Sequence, residues 1–193
     1  MTSAEQVAKA AVFNPAPLQD LVVLVTGGGV GIGRAVALAA ASAGAHVAVG
    51  AHVHPQQAKE VVAEVVALGR DADMYCADLS QAAQARQLVT WAADRFGRVD
   101  GLVNNAGIMP STPFLEISEE EWDLVVRTDL YSQFFCSQAV IPHMLKNGGG
   151  SIVNIASRLG QVGWADVAHY ASAKAGAIAL AKSISRAFGQ QGI

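Results

Sequence analysis

The sequence predicts a doubly wound α/β fold, in which helices cover both faces of a parallel sheet to give a three-layer α-β-α arrangement. Apolar runs alternate regularly with helical stretches, as right-handed βαβ crossovers require. The first run, Leu21–Thr26, is continuous and rich in valine, which is typical of a strand buried on both faces. A glycine cluster follows this run directly. The 193 residues suffice for about one domain, which we place at residues 21–193 after an N-terminal arm at 1–20.

The strands and helices are predicted from runs of apolar residues and from the signals that start and stop helices. Gly44 and Gly69 end the first two helices, and Ser80 is expected as the N-cap of the third. Ser118 and Glu121 form a capping box, with three glutamates in the first turn of the helix that follows. The further strands are predicted at His46–Gly50, Met74–Ala77, Val99–Asn104 and Ser151–Ile155, and the main helices at Gly31–Ala43, Pro55–Leu68, Ser80–Phe96, Asp129–Lys146 and Ala168–Phe188.

The composition excludes several classes of protein. Hydrophobic residues make up 52% and charged residues 15% of the chain, which argues against disorder, and the net charge of −3 argues against nucleic-acid binding. The low-charge stretch Ala35–Val53 is interrupted at Gly44 and is a poor membrane span. We therefore expect a cytoplasmic protein with no nucleic-acid or membrane partner. Cys76 and Cys136 are expected to be buried thiols, and no metal site is expected.

A glycine loop joins the first strand to the first helix. Its spacing is G-x-x-x-G-x-G, with Gly27, Gly31 and Gly33 at the three positions and Ile32 between the last two. Glycine permits a tight turn and lets a phosphate approach the backbone, while the helix N-terminus offers free N–H groups and partial positive charge. These residues are candidates for binding a dinucleotide phosphate. The alternative is a glycine-rich turn with no ligand.

Other polar residues follow the predicted strands. Asp78, Asn104 and Ser157 come just after three strands and should line the same sheet edge as the glycine loop, where open α/β sheets bind ligands. Tyr170 and Lys174 are four residues apart and share one helix face. The lysine charge favours ionisation of the phenol, whose unperturbed pKa of about 10 is too high for a base at neutral pH. The alternative for this pair is an ordinary surface contact.

Four motifs in this order resemble the short-chain dehydrogenase/reductase family. They are the glycine loop, Asn104-Asn105-Ala106-Gly107, Ser157 and Tyr170-x-x-x-Lys174, and the resemblance runs from about Leu21 to the end of the chain. The resemblance implies a Rossmann fold and hydride transfer between NAD or NADP and a secondary alcohol or ketone. Bacterial sugar-alcohol, 3-oxoacyl and related carbonyl reductases are similar.

The resemblance also implies a role for each site residue. Tyr170 would be the general acid/base, Lys174 would also hold the nicotinamide ribose, and Ser157 would donate a hydrogen bond to the substrate oxygen. Asp78 would accept from the adenine amino group with Leu79 beside it, although Asp78 also suits a helix-capping carboxylate. The residues that would lie along the adenosine ribose, in what is otherwise a plain turn, are Asn104, Ala106 and Gly107.

The sequence departs from the family in two places. Asp129 stands where the family usually has an asparagine that binds a proton-relay water. A carboxylate can accept a hydrogen bond from this water, but it cannot donate one as an amide does. The negative charge of Asp129 would also keep Lys174 in its charged form. The chain ends at Ile193, where the family continues through two further strands, so either the chain is a fragment or the sheet stops at five strands with an uncovered edge. Because an uncovered edge strand pairs readily with other chains, we expect a fragment. These features leave open a dinucleotide-binding sensor or assembly subunit without turnover. A flavodoxin-like FMN protein is a further alternative.

The cofactor and the assembly are predicted from two further patterns. Residues 50–54 contain no acid that would repel the 2′-phosphate of NADP, and His52 and His54 would attract it when protonated. We therefore favour NADP over NAD. The helices Asp129–Lys146 and Ala168–Phe188 carry apolar or small residues on more than one face, which favours a homodimer or homotetramer. These residues are Phe134, Phe135 and Val140 on the first helix and Ala171, Ala175 and Ala179 on the second.

Overall fold

A computed structural model describes residues 16–193 and contains a five-stranded parallel sheet with strand order β3-β2-β1-β4-β5. Helices cover both faces, so the predicted three-layer Rossmann fold is confirmed. The predicted arm at 1–20 lies largely outside the described residues. The strands are β1 (Val22–Thr26), β2 (His46–Ala51), β3 (Ala72–Cys76), β4 (Gly101–Asn104) and β5 (Ser151–Asn154).

The helices lie between these strands, as the alternating pattern predicts. Helix α7 has the predicted bounds, and α1 to α3 and α5 each agree with prediction to within a few residues. Short 3-10 turns at Phe114–Glu116 and Gly189–Gln191 were not predicted. The helices are α1 (Gly31–Ser42), α2 (Pro55–Ala67), α3 (Ala82–Phe96), α4 (Glu119–Val126), α5 (Ser132–Lys146), α6 (Leu159–Val162) and α7 (Ala168–Phe188).

Strand β1 lies at the centre of the sheet and is buried along its whole length. Its side chains alternate between two hydrophobic cores, because successive residues of a strand point to opposite faces. Val25 packs in the core beneath α1 and α2, and Leu24 packs in the core beneath α3 and α5. The two cores fix the sheet, and with it the edge at which β1 and β4 end.

The turn before α3 differs from the prediction. Helix α3 starts at Ala82 with Gln81 as its N-cap, and no side chain caps it. Ser80 instead donates from its N–H and its hydroxyl to Asp78 Oδ1, at 3.0 and 2.7 Å. The prediction of Ser80 as an N-cap is therefore wrong, because the helix begins one residue later than that role requires and Ser80 belongs to the turn built on Asp78.

The helical region between Ser118 and β5 is continuous. Helix α4 leads into a π-helical turn at Arg127–Tyr131, and this turn leads directly into α5. Asp129 lies in the middle of the π-helical turn, with its side chain fully buried. Such turns are rare and occur frequently at functional sites.

The two cysteines have different environments. Cys136 is buried on α5, as expected, whereas Cys76 is exposed. The prediction for Cys76 is wrong because this residue ends β3, an edge strand of the sheet. Within residues 16–193, no helix meets the length and hydropathy needed to span a bilayer, and no cluster of potential metal ligands is found.

Candidate active site

The glycine loop wraps closely around its own backbone. Gly27 and Gly31 have φ of +62° and +53°, which glycine adopts readily. A Cβ on Gly33 would lie 2.2 Å from the Gly27 carbonyl oxygen, so a side chain there is sterically impossible without moving the loop. A Cβ on Gly31 would meet no atom within 4 Å, which leaves open space above the loop. The loop therefore forms a cradle of backbone atoms.

The N-terminus of α1 faces this cradle. The N-cap Val30 provides no side-chain hydrogen bond, and the Val30 carbonyl accepts from the Arg34 N–H. The N–H groups of Gly31, Ile32 and Gly33 precede this bond and point out of the helix end, where an anion is stabilised. The side chain of Ile32 is exposed beside them. These residues fit the phosphates of a dinucleotide.

Asn105 and Thr26 hold the glycine loop against the end of β4. The Asn105 amide donates to the carbonyl oxygens of Thr26 and Gly27 at 3.0 and 3.2 Å. The Thr26 hydroxyl accepts from the N–H groups of Asn105 and Ala106 at 2.9 and 3.0 Å. Neither side chain has a role that the sequence alone predicts, although each lies at or next to the end of a predicted strand.

The side chain of Asn104 lies beneath the candidate site, and the placement of this residue along the adenosine ribose stays a prediction. It is buried, and its amide donates to Asn154 Oδ1 at 2.9 Å and to Ser137 Oγ at 3.1 Å. Its carbonyl accepts from the Ile155 N–H. Asn104 thus joins β4 to β5 and α5 beneath the site, while the partly exposed Ala106 continues from it towards the candidate ribose site.

Asp78 forms local hydrogen bonds at the end of β3. In addition to Ser80, Gln81 donates to its second carboxylate oxygen at 3.0 Å. Burial raises the pKa of Asp78, but the hydrogen bonds from Ser80 and Gln81 outweigh burial and leave the pKa below its ordinary value. The side chain of Leu79 is buried in the core. Asp78 is therefore a charged turn carboxylate, and contact with adenine remains a prediction for both residues.

The region that would contact the 2′-hydroxyl or 2′-phosphate of the adenosine ribose carries two histidines after β2 and one paired arginine. His52 and His54 are exposed after β2, and the charge of His52 contributes to lowering the pKa of Asp78. Arg34 donates two hydrogen bonds to Glu64 of α2, at 2.8 and 2.6 Å. Both side chains are exposed, and exposed ion pairs are weak, so Arg34 can exchange Glu64 for another anion.

Lys174 lies between three groups of the candidate active site. Its Nζ is 3.1 Å from Asp129 Oδ1 and donates to the Ile155 carbonyl at 3.0 Å. The same nitrogen is 5.4 Å from the centre of the Tyr170 ring. Tyr170 is half-buried, whereas Lys174 and Asp129 are almost completely buried. The structure therefore brings the predicted Tyr170, Lys174 and Asp129 together.

Asp129 is held by backbone as well as by Lys174. Its Oδ2 accepts from the Ile108 N–H at 2.8 Å, whereas Oδ1 contacts Lys174 without the geometry of a directed hydrogen bond. A Cβ on Gly107 would lie 2.3 Å from Oδ1, so only glycine lets the carboxylate approach this loop. Burial leaves the pKa of Asp129 above its ordinary value, although the Ile108 N–H and the Lys174 charge offset part of this rise.

Ser157 follows β5 and begins the turn into α6. Its Oγ accepts from the Leu159 N–H at 3.1 Å, which leaves the hydroxyl proton free to donate. A Cβ on Gly160 would lie 2.7 Å from the Ala175 nitrogen, so α6 packs directly against α7 beside Lys174. This close packing carries Ser157 to the same end of the sheet as Lys174.

Comparison with known proteins agrees with this geometry. The family model described as short chain dehydrogenase matches residues 21–193. The chain belongs to the short-chain dehydrogenase family. This family assignment excludes the flavodoxin-like FMN protein that the sequence had left open. It also identifies the chain as an NAD(P)-dependent oxidoreductase that acts on CH–OH or carbonyl groups.

Individual members of the short-chain dehydrogenase family are similar to this chain in sequence and in structure. The 3-oxoacyl-[acyl-carrier-protein] reductases of Staphylococcus aureus and Synechocystis are 39% and 40% identical to this chain. The matches cover 88% and 89% of this chain, and 69% and 70% of those proteins. The crystal structure of acetoin dehydrogenase from Enterobacter cloacae has a TM-score of 0.84 at 36% identity, covering 89% of this chain and 70% of that one.

Proposed function

We propose that this short-chain dehydrogenase interconverts a secondary alcohol and a ketone, with Tyr170, Lys174 and Ser157 at its catalytic centre. The observation that carries the proposal is the buried Lys174 Nζ, which is 5.4 Å from the Tyr170 ring and 3.1 Å from Asp129. Lysine is costly to bury, and here it is held where its charge acts on a phenol. The similar proteins include 3-oxoacyl-[acyl-carrier-protein] reductases and an acetoin dehydrogenase, which supports this proposal.

The glycine cradle fits NAD or NADP. The contact between Gly33 and the Gly27 carbonyl leaves no room for a side chain, and the N-terminus of α1 presents N–H groups to a phosphate. Gly27, Gly31, Ile32 and Gly33 would hold the pyrophosphate, while Ala106 and Gly107 would lie along the adenosine ribose. When bound, the nicotinamide supplies hydride transfer at its C4.

The side chains act on the substrate oxygen. Tyr170 transfers a proton to this oxygen in reduction and removes it in oxidation. Ser157 donates its free hydroxyl proton to the same oxygen as negative charge develops there. Lys174 favours the ionised phenol, and it is positioned by the Ile155 carbonyl and Asp129. Hydride donation and oxygen protonation can therefore occur in a site that these residues have already organised.

Asp129 is the feature that favours the alternative function, a dinucleotide-binding protein without turnover. Its carboxylate offsets part of the Lys174 charge and so weakens the effect of Lys174 on Tyr170. Asp129 nevertheless accepts the Ile108 N–H and leaves Lys174 near Tyr170. We therefore place the chain among the active enzymes. Cofactor-induced stabilisation without turnover of any ketone or alcohol would support the alternative.

NADP is the proposed preferred cofactor. No acid occurs at residues 50–54, and the exposed His52 and His54 carry positive charge when protonated. Arg34 adds a guanidinium beside the cradle, held only by an exposed pair with Glu64. These groups attract a 2′-phosphate, and a comparison of KM for the two cofactors tests the proposal.

A homodimer or homotetramer is the proposed assembly. Phe134 and Tyr131 are about two-fifths exposed and lie one turn or less apart on the same helical segment, so they offer apolar surface to a second copy. Two residues proposed for this surface do not belong to it, because Val140 and Ala171 are buried within the protomer. Light scattering on the protein tests this proposal, and a monomer at micromolar concentration would contradict it.

A further inference from the structure

His169 stands directly before Tyr170 and is completely buried. The Tyr170 N–H donates to its Nδ1 at 2.8 Å, so this nitrogen carries no proton. The proton is on Nε2, which lies 2.8 Å from Glu121 Oε1 and donates to it. The hydrogen-bond network thus assigns His169 the neutral form with the proton on Nε2.

Glu121 receives a second hydrogen bond at the same oxygen. The Thr112 hydroxyl donates to Oε1 at 2.6 Å, and the Thr112 N–H donates to the Asp166 carbonyl at 2.8 Å. The hydrogen bonds from Thr112 and His169 hold the pKa of Glu121 below its ordinary value, so it is charged. These contacts connect three segments: the loop that follows β4, the start of α4 and the start of α7.

This arrangement differs from the capping box that the sequence predicts. Ser118 accepts from the Glu121 N–H, as expected. The side chain of Glu121 does not return to the Ser118 backbone as a capping box requires; it reaches His169 on another helix. Helix α4 therefore has only one of the two hydrogen bonds of a capping box, and the Glu121 carboxylate makes a buried contact with α7 instead.

Helix α7 needs such a contact at its first turn. Its N-cap Val167 provides no side-chain hydrogen bond, and the Ala171 N–H donates to the Val167 carbonyl. Tyr170 precedes that bond, so its N–H is among those that an α-helix leaves without an internal acceptor. The His169 imidazole supplies the acceptor from the adjacent residue.

Lys174 is held independently of this contact. It lies one turn later on α7, where the Ile155 carbonyl and Asp129 bind its ammonium. Loss of the His169 contact would loosen the first turn and move Tyr170 while leaving Lys174 in place. The two catalytic side chains therefore have separate supports.

We propose that His169, oriented by Glu121, is a positioning residue that fixes the Tyr170 phenol for proton transfer. This inference rests on the proposed function of Tyr170. His169 does not touch the reacting atoms; it acts through the backbone of Tyr170. The pair also ties the position of Tyr170 to the loop that carries Thr112.

Two substitutions separate the two contacts of His169. In His169→Gln, the amide N–H can reach Glu121, but no acceptor remains for the Tyr170 N–H. In His169→Asn, the amide oxygen can accept from the Tyr170 N–H, but the reach to Glu121 is lost. His143→Gln, at the far end of α5, is the matched control.

Steady-state kinetics give the first readout. We expect kcat to fall about tenfold in His169→Gln, because a displaced phenol transfers its proton more slowly, and to fall less in His169→Asn. The Kd for NADPH should stay within about twofold, because Lys174 and the glycine cradle are unchanged. The solvent deuterium isotope effect on kcat should rise in His169→Gln, because transfer of the proton becomes slower; a reduced fraction of folded protein would not raise it.

Hydrogen exchange at the Tyr170 amide gives a readout that does not depend on turnover. Protection should be lost in His169→Gln and largely retained in His169→Asn. Unchanged kcat, isotope effect and protection in His169→Gln would overturn the inference, as would equal losses of kcat and cofactor affinity. If His169→Gln does not fold, Glu121→Ala replaces it: the imidazole loses the carboxylate that orients it, so kcat should fall and the isotope effect should rise with the Kd for NADPH unchanged, and an unchanged kcat would overturn the inference. A fully active Tyr170→Phe variant would refute the proposed function itself, which is a distinct result.

Discussion

The ammonium of Lys174 lies 3.1 Å from the carboxylate of Asp129, and both side chains are almost completely buried. Ion pairs this deep are costly to desolvate, so the pair is explained better by its effect on a neighbour than by stability alone. That neighbour is Tyr170, whose ring lies 5.4 Å from the same ammonium. Asp129 offsets part of the charge that ionises the phenol.

The charge of Asp129 should therefore set the pH dependence of the enzyme. In Asp129→Asn, the amide oxygen can still accept from the Ile108 N–H, but the negative charge beside Lys174 is absent. The lysine then favours the Tyr170 phenolate without opposition, and the phenol loses its proton at lower pH. We expect the midpoint of the pH–rate profile for alcohol oxidation to fall by about one unit.

The control for this measurement is Asp123→Asn on the exposed part of α4. It removes the same charge from the protein at a distance from Lys174 and should leave the midpoint unchanged. A midpoint that rises in Asp129→Asn, or that moves equally in both variants, would contradict the role assigned to Asp129.

Gly33→Ala should abolish cofactor binding. The added Cβ would lie 2.2 Å from the Gly27 carbonyl oxygen, so the cradle must open to accommodate it. Gly189→Ala is the matched control, since the φ of Gly189 is −60° and its nearest neighbour would be 3.8 Å away. Calorimetric titration with NADPH should show no binding to the first variant and unchanged binding to the second. Wild-type affinity in Gly33→Ala would argue against the cradle.

The parts of the site that depend on local spacing could be predicted from the sequence. The contacts between segments that are distant in the sequence could not. Tyr170 and Lys174 share a face because they are four residues apart on α7, whose bounds were predicted correctly. The glycine loop was placed correctly because a strand precedes it and a helix follows it.

The contacts between residues that are distant in the sequence follow no spacing that could be recognised from the sequence. Glu121 and His169 are 48 residues apart, and the serine nearby made the glutamate resemble a capping-box residue. The inward side chain of Asn104 likewise depends on Asn154, fifty residues later, on the adjacent strand. The exposure of Cys76 depends on the strand order, which places β3 at an edge.

The two cysteines should differ in reactivity. Burial raises the pKa of the Cys136 thiol to about 12, so its thiolate is scarce and shielded at neutral pH. Cys76 is exposed. Iodoacetamide should therefore modify Cys76 in the native protein and both residues after denaturation, as measured by mass spectrometry. Modification of Cys136 at the same rate as Cys76 in the native protein would show that the α5 core is open.

The preference for NADP should strengthen as the pH falls. His52 and His54 are exposed after β2, and a histidine gains positive charge when it is protonated. The ratio of kcat/KM for NADPH to that for NADH should therefore be larger at about pH 6 than at about pH 8. Replacing both histidines by alanine should remove this dependence. A strong NADH preference that does not change with pH would contradict the proposed cofactor.

The central claim is that Tyr170 moves the proton, and Tyr170→Phe tests it most directly. The substitution removes only the phenolic hydroxyl, so the glycine cradle and Lys174 should still bind the cofactor with nearly unchanged Kd. Turnover of a panel of ketones, followed by nicotinamide absorbance, should be abolished because the substrate oxygen has lost its proton donor. Retention of most of the parent kcat in Tyr170→Phe would contradict the account.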